Sequence, residues 1–203
     1  MKAYIVEALG TFILASAAMM TGNPAIIGLA LMIGLYCGAH ISGGHFNPAV
    51  TLTMWLRKSS AHTYALGYVA AQLVGAVGAG AFTKFLHGRI QPLPLIEMSH
   101  FWKAASIEFL GSFLLCLVIL SVTAGRSRLQ DLYGLVIGLT LTAVAAMGIH
   151  LSGAVYNPAI ASAISLLTSM SSEMPSIYNV LVYLVSPLVG GTAAHYVHGY
   201  LND

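Results

Sequence analysis

The sequence predicts an all-α membrane protein: six transmembrane helices plus two re-entrant half-helices, arranged as an inverted repeat of two three-helix halves. Three observations carry this. Of 203 residues, 58% are hydrophobic and only 7% charged, against about 25% charged in an ordinary soluble domain. The segment SGGHFNPAV (Ser42 to Val50) returns as SGAVYNPAI (Ser152 to Ile160). Each copy follows two apolar runs and precedes a third, so each half contributes three spans. An odd number forces the second half to insert upside down relative to the first.

At about 20 residues per span, the apolar runs place helices near 4–22, 25–43, 62–83, 103–123, 131–150 and 177–199. The first carries Glu7 and runs through a polar turn into the second, so it reads as a retained helix rather than a cleaved leader. Asn23, Pro24 and Ala25 open the second: Asn is a favoured N-cap and Pro fits the first helical position. This copy of the tripeptide lacks the preceding Ser-Gly and reads as a helix start only. After the second span comes Asn47 to Arg57, and after the fifth Asn157 to Leu167, each with 11 residues. As helices these extend about 16 Å, half of a hydrocarbon core of about 30 Å. Entering from opposite faces, they meet with their N-termini opposed. Each Asn Oδ1 held by its own helix leaves the side-chain NH2 free to donate into a pore.

A shift of 110 residues lays Gly28–Val50 over Gly138–Ile160, matching Gly38 with Gly148, His40 with His150 and Asn47 with Asn157. EALGTF at Glu7 matches EFLGSF at Glu108, and AQLVGAVGA from Ala71 matches SPLVGGTAA from Ser186. The repeats run from about 1–86 and 101–203, within one channel domain. Small residues spaced by four, Ala71, Gly75 and Ala79 with Ser186, Gly190 and Ala194, suit close helix packing.

The formal net charge of +2, with no basic tract, excludes a nucleic-acid partner. Lys2, Arg57, Lys58, Arg126 and Arg128 fall at the ends on one side, and Lys84, Arg89 and Lys103 on the other. This bias puts both termini in the cytoplasm, in a multi-pass protein of the cell (inner) membrane. Cys37 and Cys116 lie within spans and read as free, buried thiols rather than a disulfide framework. His40, His150 and His45 have no Cys, Asp or Glu at ligand-like spacing, so they read as loop-packing or pore-lining groups, with no metal and no cofactor. His195 and His198 read as interfacial. No nucleophile, base and orienting group form a set, so an enzyme is not expected.

HISGGHFNPAVT and its partner, on this framework, resemble the aquaporin (major intrinsic protein) family across essentially the whole chain. The resemblance implies a narrow pore in each subunit of a homotetramer, set in a lipid bilayer and passing small neutral solutes. It makes Asn47, Pro48, Ala49, Asn157, Pro158 and Ala159 the paired pore motifs. Backbone carbonyls of Gly43, Gly44, His45 and Phe46 would line one half of the path, and those of Gly153, Ala154, Val155 and Tyr156 the other. Glu7 and Glu108 would accept the N–H groups of the re-entrant loops, since loop amides in a membrane need partners.

Family members usually carry arginine directly after the second motif, where this chain has Ile160. Spacing from the motifs puts the other outer constriction positions at Ile27, Ala145 and Ala154, so all four are apolar. The connection from Lys84 to Lys103 is short for the family's outer loop, Ala161 replaces the acidic residue of glycerol facilitators, and Tyr183 looks water-channel-like. The expectation is passive conduction of water and small neutral solutes such as ammonia, urea or hydrogen peroxide. Rival readings are a glycerol-type facilitator, a closed structural membrane protein of the same fold, and an ion-coupled transporter, against which the few intramembrane charges argue.

Overall fold

The computed structural model describes residues 1–57, 64–124, 130–169 and 177–202. Helix α1 (Lys2–Thr21) stops where Gly22 turns left-handed and donates its N–H to Ala18 O at 3.0 Å. Helix α2 (Pro24–Ser42) starts under an Asn23 cap, Oδ1 accepting from Ala25 N at 2.9 Å, and stops at left-handed Gly43. There follow the short α3 (Pro48–Leu56), α4 (Ala65–His87), which ends at left-handed Gly88, and α5 (Phe101–Val122). A 3-10 turn (Gln130–Leu132) leads into α6 (Tyr133–Gly148), and α7 is Pro158–Ser169. The last span is α8 (Ile177–Val180), a π turn (Leu181–Val185) and α9 (Ser186–Asn202) in unbroken succession.

Five segments are long and apolar enough to cross a membrane: α1, α2, α4, α5 and the continuous Ile177–Asn202. Helix α6, at 16 residues, rises about 24 Å and needs its flanking turns to reach both faces. With α3 and α7 as the half-helices, this is the expected six-plus-two architecture. The third span runs from Ala65 to His87 rather than over 62–83, and 62 and 63 lie outside the described residues. So do Lys58, Arg126 and Arg128, on which part of the charge bias rests.

In the first half α1 packs against α2 and α4; in the second α5 packs against α6 and α9. The halves join along α2 and α6, and each half-helix crosses over, α7 to α4 and α3 to α9. Glycine makes these approaches possible. A Cβ on Gly28 would strike Gly138 O and Thr142, one on Gly75 would strike Ala8 O, and one on Gly190 would strike Phe109 O. Without a hydrophobic drive between helices in lipid, such close backbone packing is a main source of association. Large apolar side chains point outward instead, among them Ile5, Leu9 and Ile13 on α1 and Leu135 and Leu139 on α6. Both cysteines are free, but only Cys116 is buried; Cys37 is exposed on α2, so the expectation of two buried thiols fails there.

Pro187 explains the π turn. It has no N–H to give the Tyr183 carbonyl one turn earlier, and Ser186 N–H reaches back to Leu181 O instead.

Candidate pore

The two re-entrant loops hang from two buried carboxylates in matching fashion. Glu7 Oε1 accepts from Ser42 Oγ at 2.7 Å and His45 N at 2.9 Å, and Oε2 from Phe46 N at 2.7 Å. Glu108 Oε1 accepts from Ser152 Oγ at 2.6 Å and Val155 N at 2.9 Å, and Oε2 from Tyr156 N at 2.7 Å. A tyrosine from each half's third span completes the frame: Tyr68 donates to Ser42 O at 2.7 Å and Tyr183 to Ser152 O at 2.6 Å. Glu7 has one partner that Glu108 lacks. Gln72 Nε2 donates to Glu7 Oε2 at 2.8 Å and to Thr51 Oγ1 at 2.9 Å, whereas the matching residue in the second half is Pro187.

Aromatic rings lock the loop ends. Phe46 and Tyr156 hold φ of 52° and 50°, a left-handed conformation uncommon for bulky residues that persists only when the surroundings impose it. The Phe46 ring sits where a Cβ on Gly10 would be and would crowd one on Gly34 at 3.2 Å; the Tyr156 ring fills the place of a Cβ on Gly111, and its hydroxyl that of one on Gly148. Tyr156 also donates to Val144 O at 2.8 Å.

Beyond each lock stands an asparagine. Asn47 Oδ1 accepts from Ala49 N at 2.8 Å and Asn157 Oδ1 from Ala159 N at 3.0 Å, so each caps its own half-helix. Their amides cross between halves: Asn47 Nδ2 donates to Tyr156 O at 2.8 Å, and Asn157 Nδ2 to Phe46 O at 2.9 Å. This changes the expectation of a wholly free NH2. One N–H of each amide joins the halves, which leaves one per residue, since an amide nitrogen carries two.

A cavity of about 490 Å³ runs past this point, from Thr21, Gly22 and Gln91 on the face opposite the N-terminus to Thr123 and Tyr133 on the other. Gly43, Gly44, His45, Asn47, Gly153, Ala154, Val155, Tyr156 and Asn157 all line it. Phe46 does not; its ring is clasped by glycines and its carbonyl is taken by Asn157. Pro48, Ala49, Pro158 and Ala159 also stand off the wall, as the first turns of the half-helices. Apolar side chains from α2, α5 and α6, including Leu31, Leu35, Leu115, Ile137 and Leu141, make up much of the rest.

A sequence model of the family described as "Major intrinsic protein" matches residues 1–198. The chain belongs to this family. It is 34% identical to "Glycerol uptake facilitator protein-like 6" of Lactiplantibacillus plantarum, over 96% of this chain and 95% of that one. To "Aquaporin AqpM" of Methanothermobacter marburgensis it is 30% identical, over 87% of this chain and 74% of that one. Its fold matches the aquaglyceroporin from Plasmodium falciparum with a TM-score of 0.79 at 24% identity, covering 97% of this chain and 94% of the other. Major intrinsic proteins are membrane channels rather than enzymes, and the chain is a multi-pass channel protein of the class that passes water or small solutes.

Within this major intrinsic protein, three of the four residues assigned to the constriction, Ile27, Ala154 and Ile160, line the cavity. Ala145 does not: it is buried in the apolar core, and Ile149, one turn later, lines the cavity instead. Residues 145 and 149 share one side of the helix, Ile149 N–H donating to Ala145 O at 3.0 Å, so the two positions differ in depth along α6 rather than in direction. His40 and His150 are exposed and away from the wall, so neither lines the pore. His45 is buried, with Nδ1 3.2 Å from Thr51 Oγ1 and its ring edge-on to Tyr68. No group of three or more His, Cys, Asp or Glu that could hold a metal occurs among the described residues.

Proposed function

We propose that the chain conducts water and small neutral solutes such as ammonia, urea and hydrogen peroxide, passively, through the cavity between its two halves. The observation that carries this is the crossed asparagine pair on a cavity lined by residues from both faces. Each Asn keeps one N–H for the oxygen of a passing molecule. About half a positive charge at each half-helix start disfavours cations, and here two such starts are joined at one level. A water that accepts from both amides points its own hydrogens away on either side, so it cannot relay a proton along the file.

The wall past the asparagines explains the solute range. With Ile160 in place of arginine and Ile27 and Ala154 beside it, the outer constriction has no fixed cation and few side-chain donors. An apolar constriction leaves water and polar solutes without replacement hydrogen bonds, so its selectivity depends on width more than on chemistry. Glu7 and Glu108 serve as fixed acceptors for the loops rather than as a proton relay, since their oxygens are already held by loop N–H groups and hydroxyls. The channel has both termini in the cytoplasm of the cell (inner) membrane, assembles as a homotetramer with a pore per subunit, and comprises repeats of about 1–86 and 101–203.

A glycerol-facilitating role is the second reading, favoured by the 34% identity to the glycerol uptake facilitator-like protein over nearly the whole of both chains. Permeability measured by stopped-flow light scattering on proteoliposomes, across water, glycerol, urea, ammonia and peroxide, separates the two. Water and urea flux without glycerol flux supports the first reading, and glycerol flux comparable to urea supports the second. Empty-vesicle rates for every solute, with vesicle clustering, would point to a closed structural protein.

A further inference from the structure

We infer that the segment Gln91–Pro94 serves as the polar selectivity element at the mouth opposite the N-terminus, with the Gln91 amide recognising small neutral solutes that bear amide or hydroxyl groups. The inference rests on the channel reading above and adds a recognition group to it. All four residues line the cavity. They are also held there. Asn179 Nδ2 donates to Pro94 O at 3.0 Å while its Oδ1 accepts from Ile96 N at 3.0 Å, so one side-chain amide fixes the C-terminal end of the strip and the chain just after it. Tyr183 adds a longer bond to Pro94 O at 3.4 Å, and the same hydroxyl donates to Ser152 O. The strip and the second re-entrant loop therefore share one anchor.

Packing reinforces the grip. Pro94 lies against Gly153, where a Cβ would come within 3.3 Å of the proline ring. Leu93 and Ile96 pack with Val155, Val182 and Tyr183. Prolines at 92 and 94 fix two φ angles, which lowers the entropy of ordering the strip.

Two residues with polar side chains line the cavity at this end among the described residues, Thr21 and Gln91. The Thr21 hydroxyl is already engaged, donating to Ala17 O at 2.6 Å and accepting from Asn23 N at 3.1 Å. The Gln91 side chain is exposed and makes no hydrogen bond among the described residues. A primary amide carries two donors and an acceptor, complementary to urea, and it stands just before an apolar constriction where a solute must shed water. Unlike an arginine, it carries no charge and so is no barrier to cations.

Urea and water permeabilities of reconstituted parent, Gln91→Leu, Asn179→Ala and the double variant test this, at matched protein content. Gln91→Leu should lower the urea-to-water ratio by about threefold or more, the order of one lost hydrogen bond. Asn179→Ala should shift the ratio the same way, and the double variant should fall no further than Gln91→Leu alone, because both act through one group. Gln91 is exposed and unbonded, so its variant folds. An unchanged ratio in Gln91→Leu, or additive effects in the double variant, would overturn the inference while leaving the channel intact. A parent that conducts neither solute would overturn both.

Discussion

Asn47 and Asn157 each combine three tasks in one side chain: capping a half-helix, bonding the opposite loop and offering an N–H to the path. Asn157→Asp keeps the cap oxygen but loses the donor to Phe46 O and adds a negative charge. The expected outcome is a cation or proton leak, seen with a pH-sensitive dye inside vesicles, together with destabilisation of about 1–3 kcal/mol for the unsatisfied carbonyl. The carboxylates make a sharper comparison. Glu7 takes four donors because Gln72 joins the loop groups, and Glu108 takes three. Bonds to a charged acceptor contribute about 1.5–3 kcal/mol each. Glu7→Gln should therefore lower the melting temperature more than Glu108→Gln, and equal losses in a thermal aggregation assay would count against the extra bond. At Ile160, substitution by Arg adds a cation and bulk to the cavity wall, so urea and peroxide flux should fall relative to water. Unchanged flux would remove Ile160 from the constriction. The sequence showed the asparagines and glutamates because both recur at matched positions. It did not show the amide crossing, which joins residues more than 100 positions apart, nor the displacement of Ala145 by Ile149.

Among the elements, the glycine contacts decide whether the halves can close. Gly28→Leu would place a side chain against Gly138 O and Thr142 on α6. Overpacking of a tight contact costs about 1–3 kcal/mol or more, so detergent-purified variant should show loss of the monodisperse peak in size-exclusion chromatography. An unaltered profile would mean α2 and α6 are less tightly joined. Helix positions were legible from apolar runs, and the half-helices from the duplicated motif. Their unequal lengths, 9 residues in α3 and 12 in α7, were not, because apolar composition marks a span without marking where pairing ends. The π turn has a trace in the sequence: AQLVGAVGA, matched as a repeat with SPLVGGTAA, exchanges Gln72 for Pro187. That exchange withholds a fourth donor from Glu108.

For the whole molecule, the fold is two copies of one three-helix unit whose loops each complete the other. Neither half-helix packs mainly on its own half's third span, and neither asparagine is satisfied without the opposite loop, so the halves should unfold together rather than in turn. This arrangement should pass neutral molecules while refusing protons. Simultaneous recording of osmotic shrinkage and internal pH in the same proteoliposomes, under opposed osmotic and proton gradients, tests it most directly. Shrinkage well above that of empty vesicles is expected, with a pH trace that matches theirs. Proton entry that rises in step with water flux would contradict it.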